Sequence, residues 1–269
     1  MNIKLSQREF SLFKELIYAE FGISLSEKKI ALVQSRLHKW VKALELNSFK
    51  ELYEHVVANP HELVLLADAI TTNVTSFFRE ENQWIFLEKF IPKNYSHTKK
   101  IRIWSAACST GQEPYTIAMF LHEILPDIKS WDIKILATDL SHEVLRKAKK
   151  GEYKKKDLEG MPKKLLNKYF IKHSLDSYII KNELKNMILF RSFNLVAGDY
   201  SIFKNPIDLI FCRNVMIYFN KHTQLELINR LFNLISSSGL LLIGHSESIA
   251  HKDNRLVPIA PSIYQKRGF

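Results

Sequence analysis

Cysteine is nearly absent from this 269-residue chain: Cys108 and Cys212 lie far apart, with no Cys-x-x-Cys pair and no His-rich partner. A disulfide framework and a zinc site are therefore not expected, and a reducing cytoplasm is the expected setting. Glycine and proline, at 8 each, are too few for a collagen-like or low-complexity chain. No apolar run approaches the ~18 residues of a membrane span. The longest, around 63–70 and 239–243, are the size of a helix and a strand, so no membrane insertion is expected. The opening MNIKLSQREF lacks the apolar stretch of a secretory signal. No internal repeat is visible. There is, however, enough chain and enough apolar content (46%) for one large domain or two modest ones with a real core.

Acidic residues are also short relative to basic ones, 28 against 39, for a net charge of +11. Residues 1–70 are neutral, with 9 of each sign, so the excess belongs to the rest. Residues 145–172 alone carry 11 Lys/Arg and 3 Asp/Glu, including Lys154, Lys155 and Lys156. A solvated lysine-rich face and a docking surface for an acidic partner both fit such a run. Nucleic acid fits least, because neither interleaved aromatics nor finger-type spacing accompanies the lysines.

The first ~90 residues have helical periodicity. Ile30, Val33, Leu37, Trp40 and Leu44 form an amphipathic stripe with Ser26 as its N-cap, and Lys29, Arg36, Lys39 and Lys42 fall largely off it. Further helices are predicted after Ser48, over 62–70, and over 81–90, the last ending before Pro92. Beyond a polar loop at 93–100 the pattern changes. Short apolar runs at 101–106 (IRIWSA), 133–137 (IKILA), 207–212 (IDLIFC) and 239–243 (GLLLI) alternate with helical segments at 113–124, 141–150 and 223–235. That alternation predicts a parallel sheet covered on both faces, an α/β architecture. Residues 177–193, with YII and MILF around a polar turn, are predicted as an inserted β-hairpin.

In such a sheet ligands bind beyond the carboxyl ends of the strands. SAACSTGQEPYT (105–116) follows the first strand with a single glycine, Gly111, so it is not a Gly-x-Gly-x-x-Gly pyrophosphate loop, and a ligand without phosphate fits better. Asp139 stands at the second strand tip, where a carboxylate suits a ribose diol; capping the next helix is the alternative. Arg213-Asn214 follows the third run, with Met216 and Phe219 expected in the core. Cys212 has no accompanying base, which argues against a nucleophile.

Five blocks carry a resemblance: ITTNVTSFFRE (70–80), WSAACSTGQEPYTIA, ATDLSHEVLRKAKKGEY, FCRNVMIYFNKHTQ and GLLLIGHSESI. In order and spacing they resemble the chemotaxis receptor methyltransferases, the CheR family, from about residue 10 to the end of the chain. The resemblance implies a helical N-terminal domain (1–75), a linker helix (76–92) and a class I, Rossmann-like methyltransferase domain (93–269) with a small antiparallel β-subdomain inserted at about 172–193. It implies transfer of a methyl group from S-adenosylmethionine to chemoreceptor glutamates, giving glutamyl methyl esters and S-adenosylhomocysteine. A catalytically silent module that binds the same cofactor is the alternative, and a nucleic-acid methyltransferase lacks its Asn/Asp-Pro-Pro-aromatic loop here. The missing acid–base dyad agrees with the chemistry, since a glutamate of pKa near 4.3 is already a nucleophilic carboxylate at neutral pH.

By the same resemblance the cofactor site comprises Asn73, Thr75, Arg79, Glu113, Asp139, Asn194, Leu195, Arg213 and Asn214, with no metal. Arg79 would pair with the methionyl carboxylate, Asp139 would hold the ribose, and Asn194-Leu195 would flank the adenine. Arg79 and Tyr218 are the candidate neighbours of the methyl group. Read without the resemblance, Asn73 and Thr75 also fit an interdomain cap, Arg79 a surface ion pair, Asn194 a turn and Tyr218 the core. His245-Ser246-Glu247 fits an acceptor cleft or a hydrogen-bonded turn equally. The stretch YFIKHSLDSYIIKNEL is short and has no glycine, unlike the loop with which some relatives grip a receptor's C-terminal pentapeptide. A pentapeptide-independent monomer is expected, docking on the acidic methylation region of the receptor through Arg36, Lys39 and Lys42.

Overall fold

A computed structural model describes residues 3–72, 74–249 and 255–267. It divides into two compact units: one of residues up to 73 with 194–198 and 218–225, the other of the remainder.

The first unit is built on four helices. In α1 (Gln7–Phe21) Ser6 and Glu9 form a reciprocal capping box, and Phe10, Phe13, Ile17 and Phe21 bury one face at helical spacing. The helix ends at Gly22, whose φ of 67° is left-handed; an added Cβ would lie 2.8 Å from a Val196 methyl and 2.9 Å from Thr223 Cγ2. Helix α2 (Ile30–Ala43) buries Val33, Leu37 and Val41, so the inward face is rotated from the expected stripe and Leu44 is exposed. Ser26 makes no capping bond, because a single 3-10 turn at Glu27–Lys29 precedes the helix. Ser48 does cap α3 (Phe49–Ala58), and α4 (Leu63–Ile70) follows, burying Leu66, Ala67 and Ile70.

The second unit begins with α5 (Glu81–Tyr95), which continues through Pro92 rather than stopping before it. The carbonyl deprived of its N–H partner is that of Glu88, an exposed residue, so water can take the bond. Strands β1 (Lys100–Ala106) and β2 (Asp132–Asp139) pair in parallel and are linked by α6 (Gln112–Ile124); α7 (His142–Lys150), capped by Ser141, follows. After it come β3 (Glu152–Lys154), α8 (Lys163–Tyr169), β4 (Phe170–Lys172), β5 (Ser177–Ile180), α9 (Asn182–Lys185) and β6 (Ile188–Ser192). Next are β7 (Ile207–Cys212), α10 (Lys221–Leu234), β8 (Ile235–Ile243), β9 (Leu256–Ala260) and β10 (Ile263–Lys266).

Seven of the strands form one sheet in the order β6-β2-β1-β7-β8-β10-β9, parallel except for β10, which runs against both its neighbours. The order reverses at β1, so the crevice where a ligand belongs lies past the carboxyl ends of β1, β2 and β7. The remaining strands form a separate antiparallel sheet, β3-β5-β4.

The expected hairpin over 177–193 is not formed. β5 pairs with β3 and β4, whereas β6 joins the large sheet in parallel beside β2, with Ile188 and Phe190 buried and Leu189 half exposed. The small sheet therefore spans residues 152–180 rather than about 172–193. YII and MILF are similar apolar runs, and nothing local encodes which edge each joins. Between the two runs lies α9, with Leu184 buried.

Candidate active site at the carboxyl ends of the strands

The loop after β1 makes the first wall. Ala107, Ser109 and Gly111 all have left-handed φ, at 74°, 49° and 95°. The reversed backbone delivers the N–H groups of Ala107 and Cys108 to the Thr138 carbonyl, each at 2.8 Å. The Ser109 N–H donates to Asp139 Oδ2 at 2.8 Å, and the Ser141 N–H donates to Asp139 Oδ1 at 3.0 Å. Asp139 thus ties the β1 loop to the residue that precedes α7; the cap of that helix is Ser141, whose side chain accepts from the Val144 N–H, so Asp139 does not itself cap it. Only glycine fits at 111, where a Cβ would meet the Ala148 methyl at 2.9 Å and the Tyr153 hydroxyl at 3.0 Å.

The second wall is a buried charge network. Glu113, at the first turn of α6, accepts from Ser105 Oγ at 2.6 Å and from Arg213 Nε at 2.7 Å. Arg213 Nη1 donates to the Arg79 carbonyl and to Gln83 Oε1, at 3.0 and 2.9 Å, and lies 3.6 Å from Glu80 Oε2. Its guanidinium sits over the Trp84 and Phe211 rings. Burial pushes the Glu113 carboxyl up, opposed by Arg213. Gln83 extends the network by donating to the Ile243 carbonyl at 2.8 Å, and the His245 N–H donates to Glu80 Oε1 at 3.0 Å.

Beyond β7, Asn214 is left-handed (φ 58°). Its N–H and that of Gly244 both donate to Glu247 Oε2, at 2.8 and 2.7 Å, while the Ile217 N–H reaches Oε1 at 3.2 Å. The 245–247 segment is therefore a hydrogen-bonded turn, closed by Glu247 N–H to the Gly244 carbonyl at 2.9 Å. Gly244 is small because a Cβ would come within 2.5 Å of Asn214 Nδ2. Both thiols, Cys108 and Cys212, are buried and pushed well up by that burial, which disqualifies them as nucleophiles. Met216 is buried, as expected, and Phe219 only half-buried.

Of the predicted site residues, Thr75, Arg79, Glu113, Asp139, Arg213 and Asn214 belong to this unit. Thr75 is half-buried, and Arg79 Nη1 donates to the Val74 carbonyl at 3.2 Å. Glu113 and Arg213 are turned on each other. Asn73 lies outside the described residues. Asn194, Leu195 and Tyr218 fall in the first unit. There Asn194 Oδ1 accepts from the Val196 and Ala197 N–H groups at 2.9 and 3.1 Å, the turn role weighed from sequence, and its Nδ2 donates to the Glu20 carbonyl. The Tyr218 hydroxyl donates to the Thr72 carbonyl at 2.9 Å and accepts its N–H at 3.2 Å. Lys39 and Lys42 are exposed. Arg36 is not a free docking cation: Nη1 donates to the Ala69 and Thr71 carbonyls, at 3.2 and 2.7 Å, and Nη2 donates to Thr72 Oγ1 at 3.1 Å. Gln83, Glu80 and Ser105 were not anticipated; a glutamine on the apolar face of α5, beside Trp84 and in line with Leu87 and Ile91, was the available signal for the first.

A helical domain followed by a doubly covered sheet with one reversed strand, its acid at the β2 tip and no phosphate loop, defines a class I methyltransferase. Residues 73–263 match the family described as CheR methyltransferase, SAM binding domain, and residues 8–71 match its all-alpha domain. Among curated relatives, a chemotaxis protein methyltransferase of Borreliella burgdorferi is 40% identical, over 99% of this chain and 96% of its own length. Chemotaxis protein methyltransferase 2 of Pseudomonas aeruginosa is 38% identical, over 96% and 93%; the Escherichia coli chemotaxis protein methyltransferase is 35% identical, over 97% and 92%. The chain belongs to the CheR methyltransferase family and carries its S-adenosylmethionine-binding domain.

Proposed function

We propose that this chain methylates glutamate carboxylates on chemoreceptors for sensory adaptation, acting as a monomer in the cytoplasm. The observation that carries the reading is Asp139: a strand-tip carboxylate held at the carboxyl end of β2 by two backbone amides, where a ribose diol would be bound, beside a loop unsuited to pyrophosphate. When bound, S-adenosylmethionine supplies a methyl group on a sulfonium, an electrophile that leaves as the neutral thioether S-adenosylhomocysteine. The acceptor carboxylate is already ionised and no proton need move, so the chain requires no general base. Its residues act by position. Asp139 would hold the sugar and Arg79 the amino-acid carboxylate of the cofactor, with Thr75 and Asn214 as further members of the pocket. The Glu113–Arg213–Gln83 network keeps the ends of β1, β7 and β8 in register without a mobile charge. Alignment of this kind supplies up to ~7–11 kcal/mol in favourable intramolecular reactions.

Methyl-labelled cofactor incubated with the protein and receptor-bearing membranes is expected to label the receptor, and mild alkali to release the label as methanol. Alkali-stable label, or none on the receptor, overturns the reading. Docking is assigned to Lys39 and Lys42, whose charge complements an acidic receptor region and raises association rate. Reversing both to Glu should slow methylation and flatten its salt dependence. The short, glycine-free β4–β5 hairpin leaves docking independent of a C-terminal pentapeptide; micromolar binding of such a peptide in a fluorescence titration would contradict this.

A further inference from the structure

The lysine-rich segment has a definite placement. The β4–β5 hairpin turns at 173–176, and Leu175 at its tip is 93% exposed, the most exposed large apolar side chain among the described residues; Ile171 on β4 is 57% exposed. Strand register gathers lysines around that tip. Lys154 lies opposite Ser177, Lys172 lies opposite Tyr178, and the Lys155 N–H donates to the Asp176 carbonyl at 2.9 Å, with Lys156 next in the chain. All four lysines are exposed, and none forms an ion pair among the described residues. Lys147, Lys150 and Lys168, a short way along the chain, are instead paired with Glu143, Glu152 and Glu123. The neighbouring acids are Asp157, whose carboxylate accepts the Lys154 N–H at 3.0 Å, and Asp176.

A single exposed leucine is ordinary. A leucine at a convex tip, ringed by unpaired cations from two strands and a loop, is a more specific arrangement. We propose that the hairpin end of the small sheet docks on an anionic lipid bilayer, with Leu175 at the headgroup–acyl boundary and Lys154, Lys155, Lys156 and Lys172 on the headgroups. A bilayer suits it better than an acidic helix for a physical reason. A protein partner would need a hole matched to one protruding side chain, whereas a fluid interface closes around it, and charges scattered about a tip match a plane of anions rather than a line. The proposal requires neither cofactor nor receptor.

The test is cosedimentation of the full chain with vesicles of mixed phosphatidylglycerol and phosphatidylcholine, against phosphatidylcholine alone. Binding is expected to the mixed vesicles only and to weaken with salt. Changing Lys154, Lys155, Lys156 and Lys172 together to Glu should weaken it by more than about tenfold, and Leu175→Ser by several-fold, with the melting temperature unchanged. In Leu175→Trp the added emission should shift to the blue on mixed vesicles and not on phosphatidylcholine. Absence of binding to anionic vesicles, equal binding to both kinds, or an unshifted Leu175→Trp emission overturns the proposal. So does lysine-dependent binding of an acidic receptor fragment without binding of vesicles. None of these outcomes touches the methyl-transfer reading, which stands or falls on alkali-labile label reaching the receptor and not on binding to vesicles.

Discussion

The carboxyl end of the large sheet and the hairpin end of the small one are both dense in charge, yet they treat it in opposite ways. At the first, Glu113 and Arg213 are withdrawn from water and bonded to each other, to Ser105 and to Gln83. At the second, Lys154, Lys155, Lys156 and Lys172 stand in solvent and form no ion pair among the described residues. Net charge does not distinguish the two; pairing and burial do. A buried pair holds backbone elements at fixed separations and is costly to break, whereas an exposed cation contributes little to folding and remains available to something outside the chain.

Arg213→Met attacks the first region directly and should have the largest effect. It leaves a buried carboxylate without its cation, a loss of about 3–5 kcal/mol, which in a unit of this size is a drop in melting temperature on the order of 10 °C. Burial already raises the folded-state pKa of Glu113, and without Arg213 it should rise further. The folded state then binds the proton more tightly than the unfolded one, so the penalty is greatest above that raised pKa and shrinks as pH falls through it. Adding Glu113→Gln should restore much of the loss by removing the orphan charge. The fourfold lysine reversal at the hairpin should stay within about 0.5 kcal/mol of the parent. Thermal melts of the four proteins decide this; an Arg213→Met protein melting with the parent breaks the contrast.

Asp139 occupies the middle ground, structural and assigned to the cofactor at once. Asp139→Asn keeps one acceptor oxygen and should weaken S-adenosylhomocysteine binding about 10–100-fold, the worth of a hydrogen bond to a charged group, with about 1 kcal/mol lost from stability. Titration calorimetry beside a melt separates the two roles. Parent-like affinity with lowered stability would leave Asp139 as a brace between the β1 loop and α7 alone.

Much of this was legible in the residues. Apolar runs bounded by polar tips located β1, β2 and β7 to within a residue or two, because a strand buried on both faces must be apolar throughout. Ser48 and Ser141 marked helix starts through side-chain oxygens that satisfy the first free amides. What failed was non-local. β6 and β5 read alike, and only the large sheet's free edge beside β2 claims the former. β9 and β10 were missed altogether: Pro258 and the polar Gln265 interrupt runs too short to register as strands, and pairing with β8 organises them. Arg36 read as an exposed cation because it lies off the α2 stripe; the carbonyls that bind it come from the far end of α4, a partnership that no local pattern encodes. The Glu113–Arg213 pair joins residues a hundred positions apart, and sequence placed both at the site while leaving their bond invisible.

The smallest expected effect turns on one lysine that escaped the hairpin's pattern. Lys168 is paired: its Nζ and the Tyr169 hydroxyl both donate to Glu123 Oε1 at 2.6 Å, joining the end of α6 to α8. Those two bonds hold the Glu123 carboxyl below its usual range. A carboxyl whose folded pKa is depressed adds stability that is complete above the unfolded value of about 4.3 and vanishes as pH falls through the folded one. Glu123→Gln should therefore cost a few tenths to about 1 kcal/mol at neutral pH, the worth of a partly exposed ion pair. The gap to the parent should hold level from pH 8 to about 6 and close below about 4, and it should narrow in high salt. Lys172→Gln, lacking a partner acid, should show no such gap at any pH. Denaturant melts across pH would test both; a pH-dependent gap in Lys172→Gln would mean that the hairpin lysines are paired after all, and the contrast between the two charged regions would narrow to burial alone.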